Sequence, residues 1–414
     1  MSLVTLQFGQ CGNQIGHSLY TILQEDILKK NSDKEVFYWE AVNKWFNINE
    51  RGIWEPRSIL IDTETKVLDN FKPSNLKFTS VVAKSIGGSA NNWAFGYQEN
   101  SKLVVSEVLN SVRKEIEKCD FLTSFLNLYS LSGGTGSGVG SYIIEKLRNE
   151  YPKKIIINCA VLPYVKGEVA TQAYNSILNL AHLYPISDST ILFENEKMLH
   201  ICKHNLGFTE VSFSDINSVI SQQLGSIFQP NNKNQITTMI NNLTAHPSFK
   251  YLQIKSEPNI KNGSYTFESS QQWSYLITAL AKQSRYDIQQ INNNTSFKHK
   301  LIANAVITRS VDPIPVGALN ILRDSKDFVS WVPKNEQFRH FHTCREFLNY
   351  QKYICLLYNS NKIVLPLNTI VEDAWKAFTH GAYLHHYNKY NIDEDWFLNA
   401  FQAIETILNN YNSI

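Results

Sequence analysis

The sequence predicts an α/β fold: a doubly wound, mostly parallel sheet, then a long central helix, a second α+β domain and C-terminal helices. Three observations lead to this prediction. Short apolar runs alternate with amphipathic helical patterns through the first half of the chain. The runs end in glycine or polar residues, as strands do at the carboxyl edge of open parallel sheets. One run, Ile155 to Leu162, is apolar at every position except Asn158, as a strand buried on both faces should largely be.

Composition limits the class of protein. The chain has 414 residues, enough for two or three packed units with sizeable cores. Hydrophobic residues make up 43% and charged residues 18% of the sequence, a balance that indicates a folded protein. The formal net charge is +2, and no long run of like charges occurs. Because this gives no electrostatic reason to bind nucleic acid or a membrane surface, we expect neither as a partner.

Cysteine spacing and hydropathy indicate the compartment. The six cysteines show no CxxC spacing, so neither a zinc site nor a disulfide framework is predicted. The first residues lack the pattern of a signal peptide, and no run of about 18 apolar residues marks a membrane span. We therefore expect a protein of the reducing cytoplasm.

The first predicted strand, Leu3 to Phe8, leads directly into a glycine turn, Gly9 to Gly16, and a helical pattern follows. A turn of this kind at the carboxyl end of a strand lets main-chain N–H groups meet a phosphate. The amides of Gln10 and Gln14 can hydrogen-bond a phosphate without adding charge. A purely structural turn explains the same pattern.

The next apolar run, Ser58 to Asp62, ends in carboxylates. Asp62 and Glu64 beside a phosphate site suit Mg²⁺, which takes oxygen ligands and retains several waters. Alternatively, Asp62 or Thr63 caps a helix that begins near Val67. The sequence leaves both interpretations open.

Two further loops are rich in small residues. Ser85 to Ala94, here named the asparagine loop, precedes a helical pattern from about Lys102 to Lys118 and offers the Asn91 amide to a phosphate; an exposed linker is the alternative.

Ser132 to Gly138, here named the central loop, holds four glycines and leads into a helix near Val139. Main-chain N–H groups that no side chain shields, together with a helix N-terminus, favour the binding of an anion. The Gly-Lys-Ser/Thr ending of a P-loop is absent, so the central loop predicts a different kind of phosphate cradle.

Later strands add polar residues to the same edge. The run Ile155 to Leu162 ends at Pro163, and the loop after it contains Glu168, which can accept hydrogen bonds from ribose hydroxyls. Thr190 to Phe193 is the last predicted strand of this unit and is followed closely by Asn195. The sequence therefore predicts a nucleotide site along the carboxyl edge of the sheet.

A helical pattern from Val211 to Phe228, with Ser212 as its N-cap, predicts a buried central helix. Near its start, Phe213 can stack on a base, and the Asn217 amide can read the edge of a base. A core phenylalanine and a surface asparagine are the alternatives for these two residues.

The patterns divide the chain into four predicted parts. These are a nucleotide-binding domain over 1–210, the central helix over 211–229, an intermediate α+β domain over 230–365 and a C-terminal helical region over 366–414. In the last part, two amphipathic patterns predict helices from about Ile370 to Tyr387 and from Asp395 to Tyr411.

Several of these segments resemble the tubulin family, and the resemblance covers the chain from end to end. The turn Gly9 to Gly16 is similar to the family's first phosphate loop, and Gly133 to Gly138 is similar to its glycine signature, with Ser132 in place of a first glycine. Tyr174 to Leu178 is also typical of the family. The resemblance implies a fold of the tubulin/FtsZ type.

Within the family the chain most resembles the delta branch, on stretches such as Asn91 to Tyr97 and Phe213 to Asn217. That branch is associated with centrioles and basal bodies and with the formation or upkeep of triplet microtubules. The resemblance therefore implies a GTP-binding protein of the cytoplasm and cytoskeleton, located at the centriole or basal body. Its expected partners are other tubulins, through head-to-tail contacts, and centriole or basal-body components.

The resemblance also implies which residues hold GTP or GDP and Mg²⁺. Asp62 and Glu64 would lie near magnesium, Glu168 would lie by the ribose, and Asn195, Phe213 and Asn217 would hold guanine. Two amides satisfy the mixed donors and acceptors of guanine, whereas adenine would leave groups unpaired at about 1–3 kcal/mol each. The remaining residues implied for the nucleotide are Gln10, Cys11, Gln14, Asn91, Ser130, Gly133, Gly134, Thr135, Gly136 and Ser137.

Three departures from the family bear on activity. Polymerising tubulins carry an acidic residue after the central helix that positions water against the next subunit's nucleotide, and the matching position here is Thr238. A threonine cannot act as a general base near neutral pH, so this chain is not expected to activate a neighbour's nucleotide. Gln172 replaces a glutamate common near the ribose. The end of the chain, Asn409 to Ile414, lacks the acidic tail of the major tubulins.

Two other functions remain as alternatives. One keeps the family and makes the chain a general polymerising tubulin or another minor one. The other is a metabolic enzyme that uses NAD or ATP. It has little support, because the Gly-x-Gly-x-x-Gly pattern with a later acidic residue is absent and no set of nucleophile, base and orienting group is recognisable.

Overall fold

The computed structural model describes residues 2–29, 34–69, 76–84, 87–167, 169–230, 236–259, 271–285 and 299–414. Within these ranges ten strands form one sheet with helices on both faces, which confirms the predicted α/β class. Two further strands, β2 and β3, pair with each other in a separate antiparallel sheet. In chain order the strands are β1 Ser2–Phe8, β2 Phe46–Ile48, β3 Trp54–Pro56, β4 Ser58–Asp62, β5 Ser80–Ala83, β6 Leu122–Ser130, β7 Ile155–Leu162, β8 Ser189–Glu194, β9 Tyr251–Glu257, β10 Leu301–Arg309, β11 Phe338–Thr343 and β12 Tyr353–Ser360.

Fifteen α-helical segments lie in the same ranges, three of them continued by a π turn. None is long and apolar enough to cross a membrane. The helices are α1 Gly9–Leu28, α2 Lys34–Trp45, α3 Lys66–Asp69, α4 Trp93–Phe95, α5 Ser101–Glu117, α6 Gly140–Glu150, α7 Gln172–Leu183, α8 Asn195–His200, α9 Phe213–Phe228, α10 Ile236–Leu243, α11 Trp273–Arg285, α12 Lys334–Gln337, α13 Val364–Thr379, α14 Leu384–Asn388 and α15 Glu394–Asn412.

The strand order across the sheet is β11-β10-β12-β9-β8-β7-β6-β1-β4-β5. Every pairing from β5 across to β9 is parallel, whereas β12 runs antiparallel to both of its neighbours. Because parallel strands all end at the same edge, the loops after β1, β4, β6, β7 and β8 meet along one side of the molecule. This edge carries the residues that the sequence singles out.

Both faces of the sheet are covered by helices, as the apolar strands require. In β1, Val4 and Leu6 pack into a core with α5, α6, α7, α13 and α15, while Leu3 points into the core on the other face, with α1, α2, α9 and α10. Buried strands with apolar residues on both faces need such a two-sided cover, because exposure of either face would cost about 25 cal/mol per Å².

The predicted domains share this sheet. Strand β9, which follows the central helix in sequence, pairs with β8 through Thr190 and Ile191, opposite Tyr251 and Leu252. The division of the chain at 210 and 230 therefore stays a prediction, since main-chain hydrogen bonds run across it.

Helix α9 is the predicted central helix, and its start is confirmed. Ser212 accepts a hydrogen bond from the Asp215 main-chain N–H, and the Asp215 carboxylate accepts from the Ser212 N–H, which completes a capping box. The helix is largely buried between the sheet and α1.

The C-terminal end of α9 is held by a buried arginine from β10. Arg309 is fully buried, and its guanidinium donates to the carbonyl oxygens of Ser226, Gln229 and Pro230 at distances of 3.1–3.4 Å. Burial lowers the pKa of Arg309 to about 10, so it remains charged near neutral pH. A cation at the C-terminal end of a helix satisfies unpaired carbonyl groups and interacts favourably with the negative end of the helix dipole.

The first C-terminal helix is shorter than predicted. The amphipathic pattern from Ile370 to Tyr387 is interrupted, because α13 ends at Thr379 and α14 starts at Leu384. Gly381 and Tyr383 between them have φ angles of +63° and +59°, which a continuous helix does not allow. The second helix, α15, agrees with its prediction within one residue at each end.

Replacement of Arg309 by methionine should lower the free energy of unfolding by about 1–3 kcal/mol, because the buried carbonyls at the end of α9 lose their donor. Urea denaturation of the full chain measures this change. Arg51, an exposed loop residue, provides the control, and Arg51→Met should change stability by less than about 0.5 kcal/mol. Equal effects of the two substitutions would contradict the helix-end role of Arg309.

Candidate functional site

A cavity of about 440 Å³ lies at the carboxyl edge of the sheet. Its size falls within the range of about 300–1,000 Å³ that is typical of small-molecule sites. Of the residues predicted for a nucleotide or metal, all but Ser137 and Glu168 line it. These are Gln10, Cys11, Gln14, Asp62, Glu64, Asn91, Ser130, Gly133, Gly134, Thr135, Gly136, Asn195, Phe213 and Asn217.

The two exceptions have different reasons. Ser137 is buried behind the cavity wall, where its hydroxyl donates to the carbonyl oxygen of Gly133 and closes the first turn before α6. Glu168 lies outside the described residues. Its expected place beside the ribose therefore stays a prediction.

The central loop packs main chain against main chain on the asparagine loop. A Cβ atom on Gly134 would lie 2.5–2.7 Å from backbone atoms of Ser89 and Asn92, and one on Gly138 would collide with the Trp93 carbonyl oxygen. Gly133 differs, because the nearest atom to its Cβ position is an Asn91 side-chain oxygen at 3.9 Å. Gly133 therefore leaves the wall open to a ligand, while Gly134 and Gly138 let the two loops touch.

The asparagine loop holds an unusual backbone conformation at the cavity. Ala90 and Asn91 have φ angles of +49° and +48°, in the left-handed region. Asparagine tolerates this region, but for alanine it is strained by about 1–2 kcal/mol. The conformation places Asn91 in the cavity wall, next to the central loop.

A buried asparagine on α7 joins the two loops. The Asn175 side-chain NH₂ donates to the carbonyl oxygens of Asn91 and Ser132, each at 2.8 Å. Its oxygen accepts from the Trp93 main-chain N–H at 2.8 Å and from the Tyr387 hydroxyl at 2.7 Å. All four hydrogen-bonding positions of the amide are thus used. Sequence reasoning missed this role, although the stretch Tyr174 to Leu178 that contains Asn175 resembled the family.

The two predicted metal residues lie at one end of the cavity. Asp62 accepts hydrogen bonds from the main-chain N–H groups of Thr63 and Glu64, at 2.8 and 3.4 Å, and from the Asn13 amide. Thr63 pairs with the Thr135 hydroxyl at 2.6 Å. Helix α3 begins at Lys66, so neither Asp62 nor Thr63 occupies its N-cap position, and the alternative that one of them caps this helix is wrong.

The charge of the cavity suggests how an anion would be held. Among the described residues that line it there is no lysine, arginine or histidine. Burial raises the pKa of the Asp62 carboxyl to about 6, against the hydrogen bonds from Thr63, Glu64 and Asn13 that lower it. A polyphosphate here would therefore need a cation, and Mg²⁺ fits, since it is usually held by one or two carboxylates, phosphate oxygens and water.

At the other end of the cavity lie an aromatic ring and two amides. Phe213 is 53% exposed, so its face is open to stacking. Asn217 is buried and donates to the Gln14 side-chain oxygen at 3.3 Å, and Asn195 opens α8 directly after β8. This set matches a planar base with donors and acceptors on its edge.

Sequence reasoning missed a second ring at this end. Tyr164 follows β7 and lines the cavity, with its ring centroid 6.4 Å from that of Phe213. The Gln172 amide donates to the Tyr164 carbonyl oxygen at 2.9 Å and fixes this loop. The position of Tyr164 just beyond a strand's carboxyl end was the signal that could have identified it.

Cys11 takes part in the wall as a neutral group. Burial raises the pKa of its thiol to about 12. A thiol in this state is neither a nucleophile nor an anion at neutral pH, so Cys11 fills space beside the phosphate end without opposing a negative ligand.

The raised pKa of Asp62 makes the stability of the ligand-free protein depend on pH. Because the folded state binds this proton more tightly than the unfolded state, the Asp62 contribution is favourable below about pH 4 and is lost as the pH rises through about 6. Urea unfolding in EDTA, at several pH values from 4 to 7, should show wild type losing about 1–3 kcal/mol relative to Asp62→Asn across this interval. Parallel pH profiles for the two proteins would contradict the assignment.

Comparisons with known proteins identify the family of the chain. The model of the Tubulin/FtsZ family, GTPase domain, matches residues 2–203. The chain is 33% identical to the tubulin delta chain of Canis lupus familiaris over 454 residues, covering 99% of each. It is 32% identical to that of Homo sapiens over 99% of each chain, and 31% identical to that of Mus musculus over 100% of each. With the fold and the cavity in place, these full-length similarities show that the chain belongs to the tubulin family, whose GTPase domain implies that it binds a guanine nucleotide.

Proposed function

We propose that this chain is a delta-type tubulin that binds GTP or GDP with Mg²⁺ and acts in centriole or basal-body assembly or in the maintenance of triplet microtubules. The observation that carries the proposal is the cavity, where glycine loops, two carboxylates and two asparagines meet along one edge of the sheet. Full-length similarity to tubulin delta chains supports the choice of branch.

The phosphates would be bound mainly by main-chain groups. The start of α1 at Gly9 and the central loop before α6 both direct helix N-termini toward the cavity. Each supplies unpaired N–H groups and a partial positive charge of about half a unit. Gln10, Asn91 and Thr135 add neutral hydrogen-bonding groups around the same anion.

Magnesium would sit between the phosphates and the carboxylates of Asp62 and Glu64. When bound, it supplies positive charge to a site whose described lining contains no basic side chain. A cation beside Asp62 would also favour its ionised form and so reverse the effect of burial on its pKa. Nucleotide and metal are therefore expected to bind together.

Guanine would be held between the amides of Asn195 and Asn217, with its ring on Phe213. An amide presents both a donor and an acceptor, which matches the guanine edge. Adenine reverses that pattern and would leave buried groups unpaired, which costs about 1–3 kcal/mol for each. This difference is the proposed basis of base selection.

The chain is not proposed to trigger hydrolysis on a neighbouring subunit. Thr238 lies exposed on α10, and its hydroxyl cannot take a proton near neutral pH. The proposed partners are other tubulins, in head-to-tail contacts that bury the nucleotide, and components of the centriole or basal body. The proposed location follows from these partners.

Titration calorimetry of the full chain should show binding of GTP in the presence of Mg²⁺ and much weaker binding of ATP. Asn217→Ala should raise the Kd for GTP by about 10- to 100-fold, because a buried group of the base loses its partner. Ser218→Ala, at the exposed position next to it, is the matched control and should bind GTP like wild type. ATP binding as tight as GTP binding would contradict the proposal.

Depletion of the protein in ciliated cells tests its cellular role. We expect basal-body cross-sections in electron micrographs to lose triplet microtubules, and a tagged copy to concentrate at basal bodies. Unchanged triplets after full depletion would remove this role. A tagged copy spread along all microtubules would instead favour the general polymerising tubulin.

A further inference from the structure

Helix α14, in the C-terminal helical region, lies directly behind the phosphate end of the cavity. Tyr387 on this helix is fully buried, and its hydroxyl donates to the side-chain oxygen of Asn175 at 2.7 Å. Burial raises the pKa of Tyr387, so the phenol keeps its proton and acts as a donor at any physiological pH.

Two more contacts join the C-terminal region to the end of the asparagine loop and the residue that follows it. The Asn92 side-chain NH₂ donates to the His386 carbonyl oxygen at 3.0 Å, and the Asn92 oxygen accepts from the Phe95 N–H at the start of α4. The rings of Phe95 and Tyr390 stack with their centroids 4.8 Å apart. The chain directly after Asn91 is therefore packed on the C-terminal region.

The direction of the Asn175 amide decides whether the two loops hold together. Its NH₂ must face the carbonyl oxygens of Asn91 and Ser132, and its oxygen must face the Trp93 N–H. The Tyr387 hydroxyl is the second donor on that oxygen and is more than 200 residues distant in sequence. A two-donor contact at the oxygen locks the amide in the orientation that both loops require.

We propose that Tyr387 is a positioning residue of the nucleotide site, which acts through Asn175 to hold the asparagine loop and the central loop in the geometry that grips phosphate. The proposal rests on the proposed function for its ligand. It makes part of the C-terminal helical region a support of the cradle, although no residue of α14 lines the cavity.

A neighbouring tyrosine provides the matched control. Tyr174 is also buried, its ring packs edge-on to that of Tyr387, and its hydroxyl donates to the Ala382 carbonyl oxygen at 3.0 Å. Each of the substitutions Tyr174→Phe and Tyr387→Phe thus removes one hydroxyl and its hydrogen bond, and the two rings concerned pack against each other. Only Tyr387→Phe removes a bond to Asn175.

The first measurement needs no nucleotide. Hydrogen exchange of the full, ligand-free chain should be faster in residues 88–97 and 132–138 of Tyr387→Phe than in Tyr174→Phe, while the urea midpoints of the two variants remain similar. If Tyr387 had only a structural role, the two variants would show equal hydrogen exchange in these two segments as well as similar urea midpoints. That result would overturn the proposal.

The second measurement is the affinity for GTP with Mg²⁺. Tyr387→Phe should raise the Kd by about 3- to 10-fold over Tyr174→Phe, which corresponds to one hydrogen bond. In the double variant with Asn175→Ala, which removes the acceptor of the Tyr387 hydroxyl, the loss of that hydroxyl should add nothing, because Tyr387 acts through Asn175. Equal Kd values for the two tyrosine variants would overturn the positioning role while nucleotide binding stands. No GTP binding by wild type would overturn the proposed function and this proposal with it.

Discussion

The site depends on the close approach of two stretches of main chain. Gly134 and Gly138 of the central loop lie against Ser89, Asn92 and Trp93, where no Cβ atom fits. A cavity whose described walls carry no basic side chain has to bind an anion through N–H groups, and such groups work only when the backbone that carries them is fixed. Glycine at these positions is therefore required by the packing of the loops as much as by the approach of a ligand.

Charge is the reason to expect that nucleotide binding, cation binding and the stability of the fold are coupled. Asp62 is held in place by three donors, yet burial keeps its pKa high, so the ligand-free fold carries a carboxylate in an unfavourable environment at neutral pH. A magnesium nucleotide would relieve this cost and would also shift the folding equilibrium by mass action. The free energy of unfolding and the fraction of sites that hold nucleotide would then both depend on the interaction between Asp62 and the bound cation.

The sequence could predict residues that follow a strand or start a helix, because the carboxyl edge of a parallel sheet gathers them whatever the details of packing. Asp62, Asn195 and the central loop belong to this group. Asn175 could not be predicted in its role, because its partners come from three distant segments. The break before α14 was missed because the amphipathic pattern continues across it. Its local signal was Gly381, whose left-handed φ lets the N–H groups of Gly381 and Ala382 bond back to the carbonyl oxygens of Phe378 and Ala377 and so end α13. Strand β11, with arginine and two histidines among six residues, has no strand pattern at all.

Helices α1 and α9 connect the two ends of the cavity. Both begin at the cavity, α1 at Gly9 near the proposed phosphate end and α9 at Phe213 near the proposed base end, and they pack along each other. The Ser221 hydroxyl donates to the Ile15 carbonyl oxygen at 3.0 Å, and Asn217 donates to Gln14. Because Arg309 holds the far end of α9 to the second half of the sheet, α9 cannot slide along α1 without breaking buried hydrogen bonds. We therefore expect this helix pair, together with the loops at the carboxyl edge, to set the separation between the proposed base and phosphate ends of the site.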